Sequence, residues 1–231
     1  ICAPLSEYEK IFSLCNKCLK KNVVITDVGS AKKSTITKIN KIKRKDINWI
    51  SSHPIAGSEV SGPSNGNENL FVNKWSVIIK QKNSSSGQMK KILKFWKLLG
   101  SKTVIMDSDQ HDKIFAITSH LPHLIAYNLI LTATNFKSSN KNNILKFSAG
   151  GLRDFSRIAA SNEIMWRDIF FDNKINMLKV IDLFINNLKI FKREIKQNKK
   201  SLEIKLKKLK KVRQRIILLK QDTSKPDFGR I

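Results

Sequence analysis

The chain has 231 residues, enough for one large domain or two small ones, and its 41% hydrophobic content suits a globular protein. Its 44 basic residues outweigh 18 acidic ones, for a formal net charge of +26. The lysines are spread along most of the chain with no RNP-like, zinc-finger or helix-turn-helix signature, so the charge implies attraction for small polyanionic molecules rather than nucleic-acid reading.

In chain order, residues 1–5 (ICAPL) read as the end of a strand and 8–20 as a helix. An apolar β-rich run over 22–27 leads to Gly29, and 31–42 reads as a helix with Ser30 as its N-cap. Residues 47–51 and 75–80 are strands, 89–99 an amphipathic helix and 103–106 a further strand. Strands alternating with helices imply a mostly parallel α/β sheet whose ligands sit at the C-terminal ends of its strands. From Asp109 the pattern turns helical, over 109–133, 144–147, 158–191 and 201–219. The last repeats apolar residues at Leu202, Leu206, Leu209, Val212, Ile216 and Leu219, the mark of a packed seam, with lysines on a solvated face. A domain boundary falls at 107–109, and the loop 83–87 merely joins a strand to a helix.

No uninterrupted apolar run approaches the roughly 18 residues of a membrane span and no secretory leader is visible, which implies a soluble, cytoplasmic chain. The three cysteines, Cys2, Cys15 and Cys18, suggest reduced thiols. Cys15 and Cys18 have ligand-like spacing, but no second pair follows and both fall on an apolar helical face. No metal site is expected.

Three clusters carry chemistry. The first is SSHPIAGSEVSGP (51–63), where His53 ends a strand and Pro54 stiffens the corner. Gly57 and Gly62 permit tight turns, and Glu59 is placed to reach back as an ion-pair partner. A histidine that only caps a strand is the plainer alternative. The second is SHLPH (119–123), in which Pro122 interrupts an apolar helix and gathers polar side chains around it. His120 and His123 are two ligands at most, so a polar pocket is favoured over a metal. The third is AGGLRDFSR (149–157), where Arg157 either pairs with Asp154 across a helix surface or grips a substrate carboxylate with its planar fork. Trp166 is a wall of the same pocket or simply core.

SHPIAGSE, SHLPH and GGLRDFSRIAASNEIMWRD, in that order and at these separations, resemble the bacterial prephenate dehydrogenase family, also called cyclohexadienyl or arogenate dehydrogenases. DVGSAKKS (27–34), the Leu70-Phe71 to Trp75 motif and the closing QDTSKPDFGR (221–230) fit as well. The resemblance implies an α/β plus all-α chain. Residues 1–107 would be the C-terminal part of a Rossmann-type NAD-binding domain, and 108–231 an all-helical substrate and dimerisation domain. It implies NAD- or NADP-linked oxidative decarboxylation of prephenate or arogenate by a homodimer, in tyrosine biosynthesis. By the same resemblance His53 is the catalytic histidine that accepts a hydrogen bond from the ring hydroxyl, and Ser30 orients that hydroxyl and the nicotinamide. Arg157 grips a substrate carboxylate, His123, Ser119 and Trp166 line the pocket, and Glu59 and Asp154 help to order it. Ala3, Pro4 and Ser30 would face the cofactor.

The family's glycine fingerprint has no GxGxxG counterpart among the nine glycines here, and Ile1–Pro4 would align with the fourth strand of the nucleotide domain. The expectation is therefore a fragment, inactive as it stands. Two other readings stay open: a degenerate copy kept as a dimerisation or binding module, and a basic nucleic-acid binder.

Overall fold

The computed structural model of the chain describes residues 1–57, 62–82, 84–136, 145–198 and 200–219. Glu59, residues 83 and 144, and the closing motif 221–230 lie outside the described residues. By internal contacts the chain divides into two units, Ile1–Val180 and Ile181–Ile231.

The first unit opens with the segment 1–4, which is not a strand but runs beside one: the Ile1 amino group donates to Thr26 O (2.7 Å) and Val28 N to Ile1 O (3.2 Å). A 3-10 turn, Leu5–Glu7, leads into α1 (Tyr8–Cys15). Then come β1 (Val24–Ile25), α2 (Lys33–Ile42), β2 (Asn48–Trp49), β3 (Ser52–Pro54), β4 (Trp75–Ile79), α3 (Ser86–Leu98) and β5 (Lys102–Met106). Strand β1 pairs parallel with β2, and β3, β4 and β5 form a sheet in that order. β4–β5 is parallel, joined by the α3 crossover, but β3–β4 is antiparallel, with His53 opposite Val77. The sheet expected to be mostly parallel has this one antiparallel pair because the connection from β3 to β4 contains no crossover helix among its described residues.

From Ser76 onward strand β4 is buried on both faces, which is why Val77, Ile78 and Ile79 form an apolar run rather than an alternation. Val77 and Ile79 join Leu5, Phe12, Ile39 and Trp49 in one core, while Ile78 joins Ile50, Met89, Ile92 and Trp96 in another. Gly29 cannot be larger, since a Cβ there would meet Leu5 Cδ2 at 2.6 Å and the Tyr8 hydroxyl at 2.9 Å. Cys18, expected in the core, is instead exposed past the end of α1.

Helices α4 (Ser108–Phe115) and α5 (Leu121–Asn135) are joined by a π-helical turn, Ala116–His120. Pro122 lacks the N–H that would bond Thr118 O, and the chain widens there, with Leu121 N reaching Ala116 O instead. The whole of Ser108–Asn135 is long and apolar enough, by length and composition, to cross a membrane. That corrects the expectation of no such stretch: scattered His, Asn and Thr hid it from a count of uninterrupted apolar residues. The same stretch holds the buried polar residues His111, Asp112 and His120.

The expected helix over 158–191 is three: α6 (Gly150–Ala159), α7 (Glu163–Asp172) and α8 (Lys174–Lys196). Asn162 caps α7, its side chain accepting from Met165 N at 2.8 Å. Asn173, the break before α8, is buried with its amide drawn into the site described below. Helix α7 docks on the first hundred residues through Trp166 and Ile169 in the core and through polar links, Ser6 N to Asp168 Oδ2 (2.9 Å) and Ser34 Oγ to Asp172 Oδ1 (2.8 Å). The second unit holds the rest of α8 and α9 (Ser201–Leu218), with Lys205 paired to Glu194 at 2.7 Å and lying over the Phe191 ring.

Candidate active site

His53 sits at 7% exposure in β3, and the residue before it is clamped from every side. Ser52 N donates to Asp27 Oδ1 (3.3 Å), its hydroxyl to Asp27 O (2.7 Å), and its carbonyl accepts from Lys32 Nζ. Lys32 and Asp27, both fully buried, pair at 2.7 Å. Asp27 also accepts from Gly29 N, Trp49 Nε1 and Tyr8 OH, so a buried carboxylate and a buried ammonium are both compensated. Burial lowers the Lys32 pKa against the opposing attraction of Asp27. The outcome is a rigid platform under the imidazole.

The His53 ring meets a second histidine that the sequence did not single out. His53 Nδ1 lies 2.8 Å from His111 Nε2, and His111 Nδ1 lies 2.8 Å from Asp112 Oδ1. Phe115 packs against both rings, with centroids at 4.9 and 4.5 Å. Asp112 also takes over the expected role of Ser30. Helix α2 has no side-chain cap of its own, and Lys32 N and Lys33 N donate to the two Asp112 carboxylate oxygens at 2.9 Å each. The carboxylate thus neutralises the positive end of that helix from 80 residues away. Burial holds the His53 pKa well below its ordinary value, and the neighbouring His111, Lys32 and His120 push the same way. His111 is lowered too, mainly by burial, with the Asp112 hydrogen bond opposing.

Next to this pair lies His120, wholly buried in the π turn, whose Nδ1 is 3.2 Å from the Asn173 amide nitrogen. The same amide nitrogen donates to Asp112 O at 2.8 Å. Since the amide donates, His120 Nδ1 accepts, and its hydrogen resides on Nε2, which has no hydrogen-bond partner. Burial brings His120 down to about 4. His123 Nδ1 is 3.0 Å from Ser119 O, and its ring stacks on Trp166 with centroids 3.6 Å apart. Trp166 is buried in α7, edge-on to His120, and its indole N–H is a second buried donor without a partner.

Of the residues expected from sequence, the fold therefore brings His53 close to His111 and His120, and His123, Ser119 and Trp166 into a neighbouring cluster. Ser30 lies at the bend before α2, its main-chain carbonyl near enough to His120 to favour protonation against burial but outside hydrogen-bond geometry with Nε2. Ala3 packs against the core at the head of the chain and Pro4 is exposed. Arg157 is exposed in the last turn of α6 and Asp154 half-buried one turn earlier; α6 lies against α5, so these residues neighbour the helix of His123 rather than His53. Glu59 is outside the described residues. The missed members are His111, Asp112, Asp27, Lys32 and Asn173. Two faint signals pointed to them: a His-Asp pair in the first turn of a helix, and an acid at a strand end followed by Gly29 and Lys32. Among the described residues no group of three or more His, Cys, Asp or Glu could hold a metal.

Two family matches fall on this architecture, the prephenate dehydrogenase nucleotide-binding domain over residues 1–105 and the prephenate dehydrogenase dimerization domain over 107–211. A solved prephenate dehydrogenase from Aquifex aeolicus superposes with a TM-score of 0.86 at 30% identity, covering 94% of this chain and 76% of that one. The chain belongs to the prephenate dehydrogenase family.

A second Aquifex aeolicus prephenate dehydrogenase structure, in complex with hydroxyphenyl propionate and NAD+, aligns at 31% identity and a TM-score of 0.86, covering 93% of this chain and 74% of that one. The cyclohexadienyl dehydrogenase of Zymomonas mobilis is 34% identical over 189 residues, 82% of this chain and 64% of that protein. The prephenate dehydrogenase of Bacillus subtilis is 29% identical over 175 residues, 76% of this chain and 47% of that protein. The chain thus spans between about half and two thirds of these two relatives' length. The fold class read from sequence, a Rossmann-like part followed by a helical dimerisation part, is that of this family.

Proposed function

We propose that the protein carrying this chain is an NAD- or NADP-dependent dehydrogenase that oxidatively decarboxylates prephenate or arogenate to 4-hydroxyphenylpyruvate or tyrosine. The observation that carries the reading is a buried, neutral imidazole on the rigid His53 platform, with two unpaired buried donors in its neighbourhood, His120 Nε2 and Trp166 Nε1. Unsatisfied buried donors are costly, and a ligand rich in carboxylate and hydroxyl oxygens would satisfy them. Of a dinucleotide site this chain would contribute Ala3, Pro4 and Ser30, which we assign to the nicotinamide end. When bound, the nicotinamide supplies acceptance of a hydride from the ring carbon bearing the hydroxyl, as the ring carboxylate leaves as carbon dioxide.

The chain's own residues do the rest. His53, neutral because burial and the nearby Lys32 ammonium oppose its charge, accepts the hydrogen bond of the ring hydroxyl, takes its proton as the carbonyl forms and returns it to the phenolate oxygen once carbon dioxide has left. Ser30 orients that hydroxyl. Trp166 stacked on His123 walls the ring, Arg157 engages a carboxylate with its fork, and Ser119, Asp154 and Glu59 order the pocket rim. We assign residues 1–107 to the dinucleotide side and 108–231 to the substrate and dimerisation side. The cytoplasm is the proposed location, supported by three free cysteines.

A homodimer is proposed as the working form. The helical part matches a dimerization domain and exposes Leu206, Leu209, Val212 and Ile216 on α9, a face suited to burial by a second copy. Sedimentation at micromolar concentration would give twice the chain mass; a monomer there would remove this part of the proposal.

The activity test is NADH formation from prephenate, and then from arogenate and with NADP, by the complete natural protein carrying this sequence. Turnover that His53→Ala lowers by about a thousandfold is expected. A folded protein without turnover under any of these conditions would overturn the enzyme reading in favour of a dimerisation module.

A further inference from the structure

We infer that Asp112 and His111 act as positioning residues that set the tautomer of His53, holding its hydrogen on Nδ1 and leaving Nε2 bare toward substrate. The substrate part rests on the function proposed above; the tautomer does not.

The inference begins at Asp112. Its two oxygens each accept a main-chain N–H at the start of α2, so the carboxylate is held as an acceptor and its orientation is set by backbone. His111 Nδ1, 2.8 Å from Oδ1, can only donate to it. A neutral His111 then has its lone pair on Nε2. That lone pair lies 2.8 Å from His53 Nδ1, which must therefore be the donor. A neutral His53 has one hydrogen, now used, so Nε2 is the basic nitrogen. In histidine the bond made by one ring nitrogen decides the state of the other.

One alternative reverses the chain of bonds. A doubly protonated His111 would donate from Nε2 to His53 Nδ1 and drive the His53 hydrogen onto Nε2, the wrong nitrogen for a base. Asp112 and Asp27 favour that charge, while burial and the Lys32 ammonium oppose it, and the balance lowers the His111 pKa. Lys32 has no access to solvent and is tied to Asp27 and the Ser52 carbonyl, so its charge cannot swing away. Phe115 fixes both rings from the side. The arrangement is a second-layer device, since neither His111 nor Asp112 needs to touch the substrate.

The test begins with nitrogen NMR of histidine-labelled complete protein at neutral pH, assigning His53 by its loss in His53→Ala. The expected signature is a protonated Nδ1 and an unprotonated Nε2; a protonated Nε2 overturns the inference whatever the enzyme does. The second arm is kinetic. His111→Phe removes the acceptor and is expected to lower kcat about a hundredfold with KM changed by less than about twofold, while the His53 signals become those of mixed tautomers. His111→Gln, which restores an acceptor oxygen, should recover part of kcat and also serves if the Phe variant does not fold. A folded His111→Phe with wild-type kcat would sink the positioning role. If His53→Ala abolishes turnover and His111→Phe does not, the relay falls and the dehydrogenase stands. If the wild type has no turnover but shows the expected tautomer, the dehydrogenase falls and the relay stands.

Discussion

Around His53 the polar groups turn inward: Asp27, Lys32, Ser52, His111 and Asp112 are all buried, and each is bonded to another residue of the chain. Helices α6 and α9 bury no side chain, α8 buries only Met177, and α8 and α9 show apolar groups such as Leu183, Leu188 and Leu209 to solvent. In the first region these polar groups are held by one another. The second has the composition of a packed structure without the packing, in keeping with the dimer proposed above. Stability and site geometry should therefore reside in the first region, and assembly in the second.

The comparison can be broken most sharply at the buried ion pair. Lys32→Met leaves Asp27 without its cation in a dry site and is expected to destabilise by about 3–5 kcal/mol, read from urea unfolding. The corresponding change in the second region, Lys205→Met, removes a pair that is partly solvated and should cost about 0.5 kcal/mol. Similar losses at the two positions would refute the contrast.

A pH series sharpens it from another side. His120 is held at about 4 in the folded chain, against about 6.5 unfolded. Below pH 6.5 the unfolded state takes up a proton that the folded state refuses, so stability is complete above that pH and falls as the solution is acidified toward 4. At about 1.4 kcal/mol per unit the His120 loss is of order 3 kcal/mol. His53 and His111 act in the same direction. Urea midpoints at pH 7.5 and 5 should differ accordingly, and His120→Gln should flatten part of the slope. A pH-independent midpoint over this window would mean that the three rings are not buried as described.

Much of the site was legible where chemistry is local. A histidine before proline at the end of an apolar run marks a stiff corner, and the SHLPH and GGLRDFSR clusters carry side chains that a plain core does not require. Helix and strand positions were mostly readable from periodicity, whereas their ends were not. Helix α2 begins without the Ser30 cap because Asp112 supplies a better one, and no local pattern announces a cap 80 residues away. The single helix read over 158–191 breaks at Asn162 and Asn173, the first a cap residue that an apolar rhythm masked, the second drawn inward by Asp112 O and His120.

By itself the amino-acid sequence determined the family, the alternation that builds the sheet, the long apolar helices and the presence of His53 at a strand end. These depend on short-range order: residue spacing, turn chemistry and motifs read within a few neighbours. Only the tertiary structure decided what surrounds His53. Its hydrogen-bond partner lies 58 residues along the chain, and the carboxylate behind that partner is fixed by the first turn of α2. A proton's place on an imidazole depends on where the next acceptor lies in space, and that position exists only once the helices have docked on the sheet.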